Sequence, residues 1–522
     1  MPIAELQVLA DIPRHWAANR PGKAATVFED RVVSWADFDR HATQVANGII
    51  EAGVKPQARV AYLGKNSDLY FQLLFGAAKS NTVMVGINWR LAPPEVEYIV
   101  NDARIEVLFV EEEFFGLIGE IRERLATVTL YVAMSGRGHG WEEYVSWRDG
   151  QSAADPMLPV DSEDICVQLY TSGTTGRPKG VQLPNRGFIV QRYGDEIAGE
   201  WSKWHDDDVI MIPMPVFHVG GTGWGFQGFY NGSTQVILGQ AEPGLIIETI
   251  QKYRVTKVFV VPAVLQFMLQ HEASKTADFS HVRVVLYGAS PIPEDVLVRA
   301  LATFKCPFVQ LYGMTETSGS VTFLPPEVHV AGSTKLRSCG IPFHGIEIII
   351  GDAAGNAQPP GQVGEIMIRA PGIMKGYWNM PEATAEAVKD GWYHSGDAGY
   401  MDDEGFIYVY DRVKDMIVSG GENIYPAEVE SALSKHPAVA DIAVIGVPSD
   451  RWGEEVKAVV VKEKGAHVTE DELIAFARTQ IAGFKTPKSV DFVDSLPRNP
   501  SGKLLKKELR EPYWAGRERR VG

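Results

Sequence analysis

Short apolar runs alternate with amphipathic stretches through most of the first 300 residues of this 522-residue chain. Strand-like Val258 to Val261 precedes helix-like Ala263 to Gln270, and strand-like Val282 to Leu286 precedes helix-like Pro293 to Phe304. Such alternation is typical of α/β folds, in which helices cover a mostly parallel sheet. Because a chain of this length exceeds one hydrophobic core, we predict a large α/β domain of several subdomains and at least one more domain.

The pattern changes after residue 345. Ile346 to Ile350 and Glu365 to Arg369 flank a loop rich in Gly, Asp, Asn and Pro, which predicts a β-rich antiparallel segment. Towards the C-terminus, shorter runs predict a small α+β domain. Its elements are Pro426 to Ser434, Ile442 to Val447, Val456 to Val461 and Glu470 to Gln480.

Composition argues against several functional classes. The net charge of −16 disfavours a nucleic-acid partner, because phosphate binding needs basic faces. No run approaches the roughly 18 apolar residues of a membrane span, and the N-terminus does not resemble a secretory signal. The three cysteines lack disulfide or metal-ligand spacing, which predicts a cytoplasmic location. Peripheral membrane contact and a homodimer stay open.

Residues 170–180 carry the densest chemistry, Tyr-Thr-Ser-Gly-Thr-Thr-Gly-Arg-Pro-Lys-Gly. Glycines let backbone amides approach a ligand, and hydroxyls with fixed cations suit a polyphosphate. The segment is not a Walker loop, because Gly180 follows Lys179 where that pattern needs Ser or Thr. The plain alternative is a flexible surface loop, but so dense a mixture favours a phosphate-binding loop.

This string resembles the phosphate-binding signature of the adenylate-forming superfamily, which includes acyl-CoA synthetases, aryl-CoA ligases, luciferases and adenylation domains. Later segments resemble the remaining family motifs in the same order. These are the second nucleotide motif at 312–317, the ribose motif at 392–397, the hinge region at 411–415 and 419–423, and the lysine motif Pro-Ser-Gly-Lys at 500–503. With five motifs in order, the chain is identified as a member of this superfamily, and the acyl-CoA ligase branch is the expected one.

The resemblance implies a reaction in two halves. A carboxylate attacks the α-phosphorus of ATP to give an acyl-adenylate and pyrophosphate, and a thiol then displaces AMP. Because a carboxylate must approach a polyanion, fixed cations and Mg²⁺ offset the repulsion. The implied domains are residues 1–411, which bind AMP and the acyl group, and a mobile domain at 412–522. The implied cofactors are ATP, Mg²⁺ and coenzyme A, with a small-molecule carboxylic acid as substrate.

The resemblance also assigns nucleotide-binding residues. The residues expected to bind the β- and γ-phosphates are Thr171, Ser172, Gly173, Thr174, Thr175 and Lys179. Those expected to contact the adenine are Gly288, Ala289, Ser290, Gln310, Leu311, Tyr312 and Gly313. Thr315 is expected to bond the α-phosphate, Glu316 to bind Mg²⁺ and Asp397 to accept the ribose hydroxyls. Arg412 is expected to reach the ribose or the phosphates. Read locally, Glu316 could be a surface carboxylate and Asp397 a turn residue.

The C-terminal motifs imply motion. Lys503 would reach the bridging oxygen as charge develops during adenylation, although nearby Lys506 and Lys507 show how common solvated lysines are. Lys414 matches the hinge, whose backbone angles change when the C-terminal domain turns between the half-reactions. Ser419, Gly420 and Gly421 would then leave a tunnel for pantetheine; the local alternative is an ordinary glycine turn.

His218 matches the position that borders the carboxylate pocket in the family, although a lone histidine is often a core residue. Amino-acid-activating relatives carry Asp there, so an amino acid is disfavoured. The predicted apolar wall comprises Val219, Gly220, Gly221, Trp224, Gly288 and Val321. A fatty acid ranks first on family frequency. An aryl-acid (benzoate- or cinnamate-type) CoA ligase, a carrier-protein ligase and a luciferase-like oxygenase remain alternatives.

Two other interpretations fit less well. Gly223 to Gly228 matches a dinucleotide-binding fingerprint, which requires a strand immediately before it. Here a Pro- and His-containing loop separates it from strand-like Val209 to Ile212. A non-catalytic nucleotide-binding homologue would lack Lys503, Glu316 or Asp397, and this chain retains all three.

Replacing the motif lysine should separate the two half-reactions. We expect Lys503→Ala to slow adenylate formation about a hundred- to a thousandfold, since one stabiliser of developing charge is lost. Thioester formation from a supplied acyl-adenylate should continue. Pyrophosphate exchange and thioester formation measure the halves separately, with Lys507→Ala as the control. Equal losses in both halves of a folded variant would contradict the assignment.

Overall fold

The computed structural model describes residues 3, 5–136, 140–171, 178–190, 198–290, 292–352, 354–412, 415–419, 422–449, 451–481, 483–498 and 504–515. The chain forms two compact units. The larger comprises Met1–Glu347 and Arg369–Gly391, and the smaller comprises Ile348–Ile368 and Trp392–Gly522. The predicted α/β class, with a large N-terminal part and a smaller C-terminal part, is confirmed. The boundary between residues 411 and 412 stays a prediction.

The described residues of the larger unit begin with strands β1 (Ala24–Phe28), β2 (Arg31–Ser34), β3 (Arg59–Leu63), β4 (Val83–Ile87), β5 (Ile105–Val110), β6 (Leu130–Ala133), β7 (Glu142–Glu143), β8 (Ile165–Thr171), β9 (Lys179–Pro184) and β10 (Val209–Ile212). The remaining strands of the chain are β11 (Thr234–Ile237), β12 (Lys257–Val260), β13 (Val284–Gly288), β14 (Phe308–Met314), β15 (Gly319–Leu324), β16 (Ile341–Pro342), β17 (Glu347–Gly351), β18 (Gly364–Arg369), β19 (Gly376–Tyr377), β20 (Val388–Lys389), β21 (Trp392–Met401), β22 (Ile407–Arg412), β23 (Ile417–Ser419), β24 (Glu422–Ile424), β25 (Val439–Ser449), β26 (Gly453–Lys462) and β27 (Ser489–Phe492).

The helices are α1 (Asp11–Asn19), α2 (Trp35–Glu51), α3 (Asp68–Lys79), α4 (Pro93–Asp102), α5 (Phe115–Ile121), α6 (Tyr144–Asp149), α7 (Asn185–Ile189), α8 (Val219–Tyr230), α9 (Pro243–Lys252), α10 (Pro262–Gln270), α11 (Glu294–Phe304), α12 (Pro381–Ala387), α13 (Pro426–Leu433), α14 (Glu470–Gln480) and α15 (Lys506–Trp514). Local chemistry fixes their starts. The side chain of Ser34 accepts the amide of Asp37 at α2, and Thr469 and Glu472 form a reciprocal capping box at α14.

Two largely parallel sheets organise the larger unit. The first has the order β16-β15-β14-β13-β12-β10-β11-β1-β2, and its six strands from β14 to β1 run parallel. The second has the order β19-β9-β8-β4-β3-β5-β6-β7, with β9 and β19 antiparallel at one edge. Parallel strands present their carboxyl ends at one edge, where ligands bind in such sheets. The motif residues follow the ends of β8, β10, β13 and β14.

Apolar side chains pack the helices onto the first sheet as the alternating pattern predicts. Val258 of β12 and Val285 of β13 share a buried cluster with Ile247 of α9, Leu265 of α10 and Leu297 of α11. Burying side chains of this size stabilises the fold by about 1.5–3 kcal/mol each. The predicted strand-and-helix pairs at 258–270 and 282–304 are confirmed to within two residues at each end.

The smaller unit contains both the antiparallel segment and the C-terminal α and β elements that the sequence predicts. Strands β17, β18, β21 and β22 are neighbours in a β-rich segment, where β21 pairs antiparallel with both β18 and β22. The C-terminal part has the strand order β24-β23-β26-β25, with β27 parallel to β26. Helices α13 and α14 contribute Leu433 and Leu473 to its core. No helix among the described residues is long and apolar enough to cross a membrane.

Candidate active site

The two ends of the predicted phosphate loop lie side by side. Thr171 ends β8, Lys179 begins β9, and the two residues pair across the antiparallel ladder. The ammonium of Lys179 lies 4.8 Å from the ring centroid of Tyr377, a cation–π contact. The loop residues Ser172, Gly173, Thr174 and Thr175 lie outside the described residues, so their assignment stays a prediction.

Glu316 lies in a tight turn, Thr315–Thr317, between β14 and β15. The hydroxyl of Thr317 bonds to the backbone of Met314 and Gly319, which fixes the turn locally. The backbone carbonyl of Glu316 accepts the amide of Met374 at 2.8 Å. The turn is therefore held by its own side chain and by the segment that leads into β19.

Tyr377 links the two phosphate-binding motifs. Its ring faces the Lys179 ammonium, and its hydroxyl donates to Oε1 of Glu316 at 3.0 Å. One aromatic residue thus contacts both a cation and a carboxylate, charges that could bind a polyphosphate and its metal ion. Mg²⁺ is commonly bound by one or two carboxylates with substrate phosphates completing its shell. The single carboxylate fits that arrangement, and the described residues contain no cluster of three or more metal-ligating groups.

The predicted adenine segments are neighbours. Gly288 ends β13 and pairs in parallel with Leu311 of β14. A Cβ at Gly288 would lie 2.3 Å from the Leu311 carbonyl oxygen, so the close approach requires glycine. Ala289 then adopts a positive φ of 68° and is exposed with Ser290. Gln310, Tyr312 and Gly313, which share β14 with Leu311, are half-buried, so both segments offer accessible surface at one sheet edge.

His218 immediately precedes α8, after the carboxyl end of β10. The side chain is mostly buried, and its Nε2 has no hydrogen-bond partner among the residues that the structure describes. Burial, with a smaller contribution from the charge of Arg90, lowers the pKa of His218 to about 4. The imidazole is therefore neutral at pH 7.

The glycines of α8 divide into two groups. At Gly221, Gly225 and Gly228 a Cβ would lie 2.1–2.5 Å from neighbouring atoms, so these residues allow close packing. At Gly220 and Gly223 the nearest atoms lie 3.6 Å away, on Phe259 and Val219 respectively. The helix therefore has room for a methyl group, in ordinary contact with its neighbours, on the face that begins beside His218. The fingerprint-like run of residues 223–228 lies inside α8, so it does not open a helix as dinucleotide binding requires.

Aromatic side chains adjoin this face. The ring centroid of Trp224 lies 5.8 Å from that of Phe259 and 6.1 Å from that of Trp204. The Trp224 indole donates to the carbonyl of Met211 at 2.9 Å, which fixes its orientation. Val321, predicted for the same wall, is fully buried in β15. The surroundings of α8 are thus apolar and aromatic.

In the smaller unit, Asp397 is buried on β21 and lies opposite Arg412 of β22 in the antiparallel register. The strand backbone before it is held by side-chain contacts. Gly396 has a positive φ of 68°, and its amide donates to Oε1 of Glu365 at 2.9 Å. The other oxygen of Glu365 lies 2.8 Å from Nδ1 of His394. Glu365 therefore fixes both residues that lead into the predicted ribose carboxylate.

The remaining predicted residues are only partly described. Ser419 ends β23 and pairs with Glu422 of β24. Asp415, just after the predicted hinge, forms an ion pair with Arg510 of α15 at 2.6 Å. Lys414, Gly420, Gly421 and Lys503 lie outside the described residues, and Arg412 is described only by its backbone. Their roles stay predictions.

Sequence reasoning missed Tyr377 and Glu365. Both are distant in sequence from the residues they position, and neither belongs to a recognised phosphate or ribose pattern. The sequence signal available for Tyr377 was the short Gly-Tyr-Trp run at 376–378, in which two aromatic residues follow a glycine. In the structure that glycine has a φ of 153°. Only the packing of β19 against β9 shows what these rings contact.

Comparison with known proteins identifies the family. Residues 13–378 match the model of the AMP-binding enzyme family, and residues 428–503 match that of the AMP-binding enzyme C-terminal domain. The chain is 40% identical to a fatty acid–[acyl-carrier-protein] ligase, ScoC, of Streptomyces coeruleorubidus over 99% of this chain and 98% of that protein. It is 38% identical to a feruloyl-CoA synthase of an Amycolatopsis species over 97% and 99%. The ATP-bound structure of MatB from Rhodopseudomonas palustris superposes with a TM-score of 0.87 at 29% identity, covering 97% and 99%.

Removing the ribose carboxylate should weaken nucleotide binding. We expect Asp397→Ala to raise the ATP requirement by the equivalent of about 1.5–3 kcal/mol, because the ribose hydroxyls lose a charged acceptor. The KM for ATP measures this, and Asp403→Ala, an exposed aspartate of the same unit, is the control. An unchanged KM for ATP would show that Asp397 has a structural role only and does not bind the ribose.

Proposed function

We propose a specific reaction for this chain, which belongs to the AMP-binding enzyme family and is an AMP-forming acid–thiol ligase of the adenylate-forming superfamily. It joins an apolar carboxylic acid, with a fatty acid as first candidate, to coenzyme A while ATP is cleaved to AMP and pyrophosphate. The observation that carries the proposal is the neutral His218 immediately before α8. It lies beside a face of that helix where two glycines leave room next to aromatic rings.

The first half-reaction would use the charges around Tyr377. Lys179 would bind the outer phosphates, and Glu316 would hold Mg²⁺ against them, which neutralises part of the charge that an incoming carboxylate meets. A carboxylate oxygen attacks the α-phosphorus and pyrophosphate leaves with the electron pair. Thr315, next to Glu316, is proposed to bond the α-phosphate, and Lys503 to approach the bridging oxygen.

The second half-reaction would transfer the acyl group to sulfur. The thiol sulfur attacks the acyl carbonyl carbon, the bond from that carbon to the phosphate oxygen breaks, and AMP leaves while the thiol proton passes to solvent. Lys414 is proposed as the hinge, with Ser419, Gly420 and Gly421 lining the thiol path. Coenzyme A is the first candidate thiol. A carrier-bound pantetheine is the alternative, supported by the name of the Streptomyces relative.

An aryl acid is a second candidate on a specific observation. Phe259, Trp224 and Trp204 follow one another at ring separations near 6 Å beside the open face of α8. Aromatic rings pair with other rings in offset or edge-to-face arrangements worth about 0.5–1.5 kcal/mol each. The feruloyl-CoA synthase relative supports the same class. The cytoplasmic location and a homodimer remain predictions from the sequence.

A panel of acids tests the substrate class. We expect AMP release with CoA for at least one medium or long fatty acid, or one benzoate or cinnamate, and none for amino acids. A zwitterion would bury an unpaired ammonium beside a neutral imidazole, which is strongly unfavourable. Parallel assays with a pantetheinylated carrier protein identify the thiol. Amino-acid-dependent pyrophosphate exchange would contradict the expectation that the acid site rejects an ammonium group. No AMP release with any acid would contradict the proposed function.

Filling the open face of α8 should change acid selectivity without affecting ATP. We expect Gly220→Val to raise the KM of the bulkiest accepted acid about tenfold, because a Cβ there already contacts Phe259 at 3.6 Å and two further methyl groups would occupy the space. The KM for ATP should not change. Gly116→Val, on the exposed face of α5, is the matched control. Equal effects on every acid would show that this face does not bind the acyl group.

A further inference from the structure

The neck of the predicted phosphate loop is the pair of strands β8 and β9, which carry the chain into the loop and out of it. Tyr170 pairs with Gly180, and Thr171 pairs with Lys179. A Cβ at Gly180 would lie 2.6 Å from Nε2 of Gln168 and 3.1 Å from Cζ of Tyr170, so the side chains of β8 occupy that space. The neck is thus closely packed where the described residues stop.

Helix α4 contacts both arms of the neck. The hydroxyl of Tyr170, before the loop, donates to Oδ2 of Asp102 at 2.6 Å. The hydroxyl of Tyr98 donates to the carbonyl of Pro178, after the loop, at 3.3 Å. Tyr98 and Asp102 are four residues apart and therefore lie on one face of the helix. One rigid element thus fixes the distance between the two arms.

Trp378 completes the attachment. Its indole donates to the backbone carbonyl of Asp102 at 2.8 Å, and its amide donates to the carbonyl of Gly180 at 2.7 Å. The Arg59 guanidinium lies 3.5 Å from the centre of the same indole. Arg59 donates to Gln168 at 3.3 Å, and Gln168 donates to the Tyr170 hydroxyl at 3.2 Å. The hydrogen bonds and the stacked ring form a closed network.

The charges in this network are stable near neutral pH. Burial lowers the pKa of Arg59 only to about 10, so the guanidinium remains a cation. Burial and then the bond to Asp102 raise the pKa of the Tyr170 hydroxyl, which therefore stays a proton donor. Partly buried hydrogen-bonded networks of this kind define one geometry, because each lost bond leaves a polar group unsatisfied. None of these side chains belongs to the predicted phosphate contacts.

We propose that Tyr170 and Asp102 are positioning residues that hold Thr171 and Lys179, the described ends of the predicted phosphate loop, in place for the β- and γ-phosphates of ATP. The inference rests on the proposed function, since it takes the loop to bind those phosphates. Side chains that are held in place before a ligand binds lose less conformational freedom on binding, and the binding free energy is more favourable by that amount. Tyr170 and Asp102 would act through the paired backbone of Thr171 and Lys179, without contacting the nucleotide.

The test compares two nucleotides on the full chain. Tyr170→Phe removes only the hydroxyl and leaves Asp102 without this donor. We expect calorimetry to show ATP affinity reduced about tenfold, the effect of one hydrogen bond to a charged group, and AMP affinity unchanged within about twofold. AMP lacks the β- and γ-phosphates, so a loop effect does not reach it. Tyr144→Phe is the control, because that buried hydroxyl bonds to Gln72 at 3.0 Å in a different part of the larger unit.

A second pair of variants guards against misfolding. Asp102→Asn keeps an oxygen that can accept the Tyr170 hydroxyl and should lose less ATP affinity than Asp102→Ala. Equal losses for ATP and AMP, or an unchanged ATP affinity in Tyr170→Phe, would overturn the inference. Nucleotide binding needs no acid, so the ratio of ATP to AMP affinity tests the loop even if no acid is turned over. Failure of every acid would count against the proposed function alone.

Discussion

The parallel arrangement of strands is the constraint on which the candidate site depends. Since β10, β13 and β14 run in one direction, the residues after their carboxyl ends meet at one edge, although His218, Ala289 and Thr315 are far apart in sequence. Glycine at 288 lets β13 approach β14 closely at that edge. A change of strand direction would move these residues to opposite edges, so the packing of the sheet is a precondition for the chemistry.

The segment leading into β19 connects the two sheets of the larger unit beside the predicted phosphate-binding residues. Met374 bonds to the backbone of Glu316 beside the first sheet, while Lys375 and Trp378 bond to the backbone of β9 in the second. Tyr377 then contacts a cation from one motif and a carboxylate from the other. The position of one short edge strand therefore decides whether the two motifs can act on the same ligand.

Elements with strong periodicity could be predicted from the sequence, as α11 and α14 show, because their apolar faces and caps are local properties. The motif residues could be assigned by resemblance, and the comparisons agree on the family. Tyr377, Trp378 and Glu365 could not be found this way. Their roles depend on strand pairing between segments distant in sequence, which no local pattern encodes. The glycines of α8 likewise look alike in sequence. Only the packing around them shows which ones have room for a side chain and which ones do not.

Charge divides the larger unit into two environments. Around Tyr377 the side chains are ionic and half-exposed, which suits a hydrated polyphosphate and its metal. Around α8 burial keeps His218 neutral and the neighbouring rings are apolar. Arg90 lies close enough for its charge to act on His218, so a carboxylate that enters from this side would be attracted both to that guanidinium and to the cations at the predicted phosphate site. The same cation would repel the ammonium group of an amino acid, which agrees with the proposal of an acid without such a group.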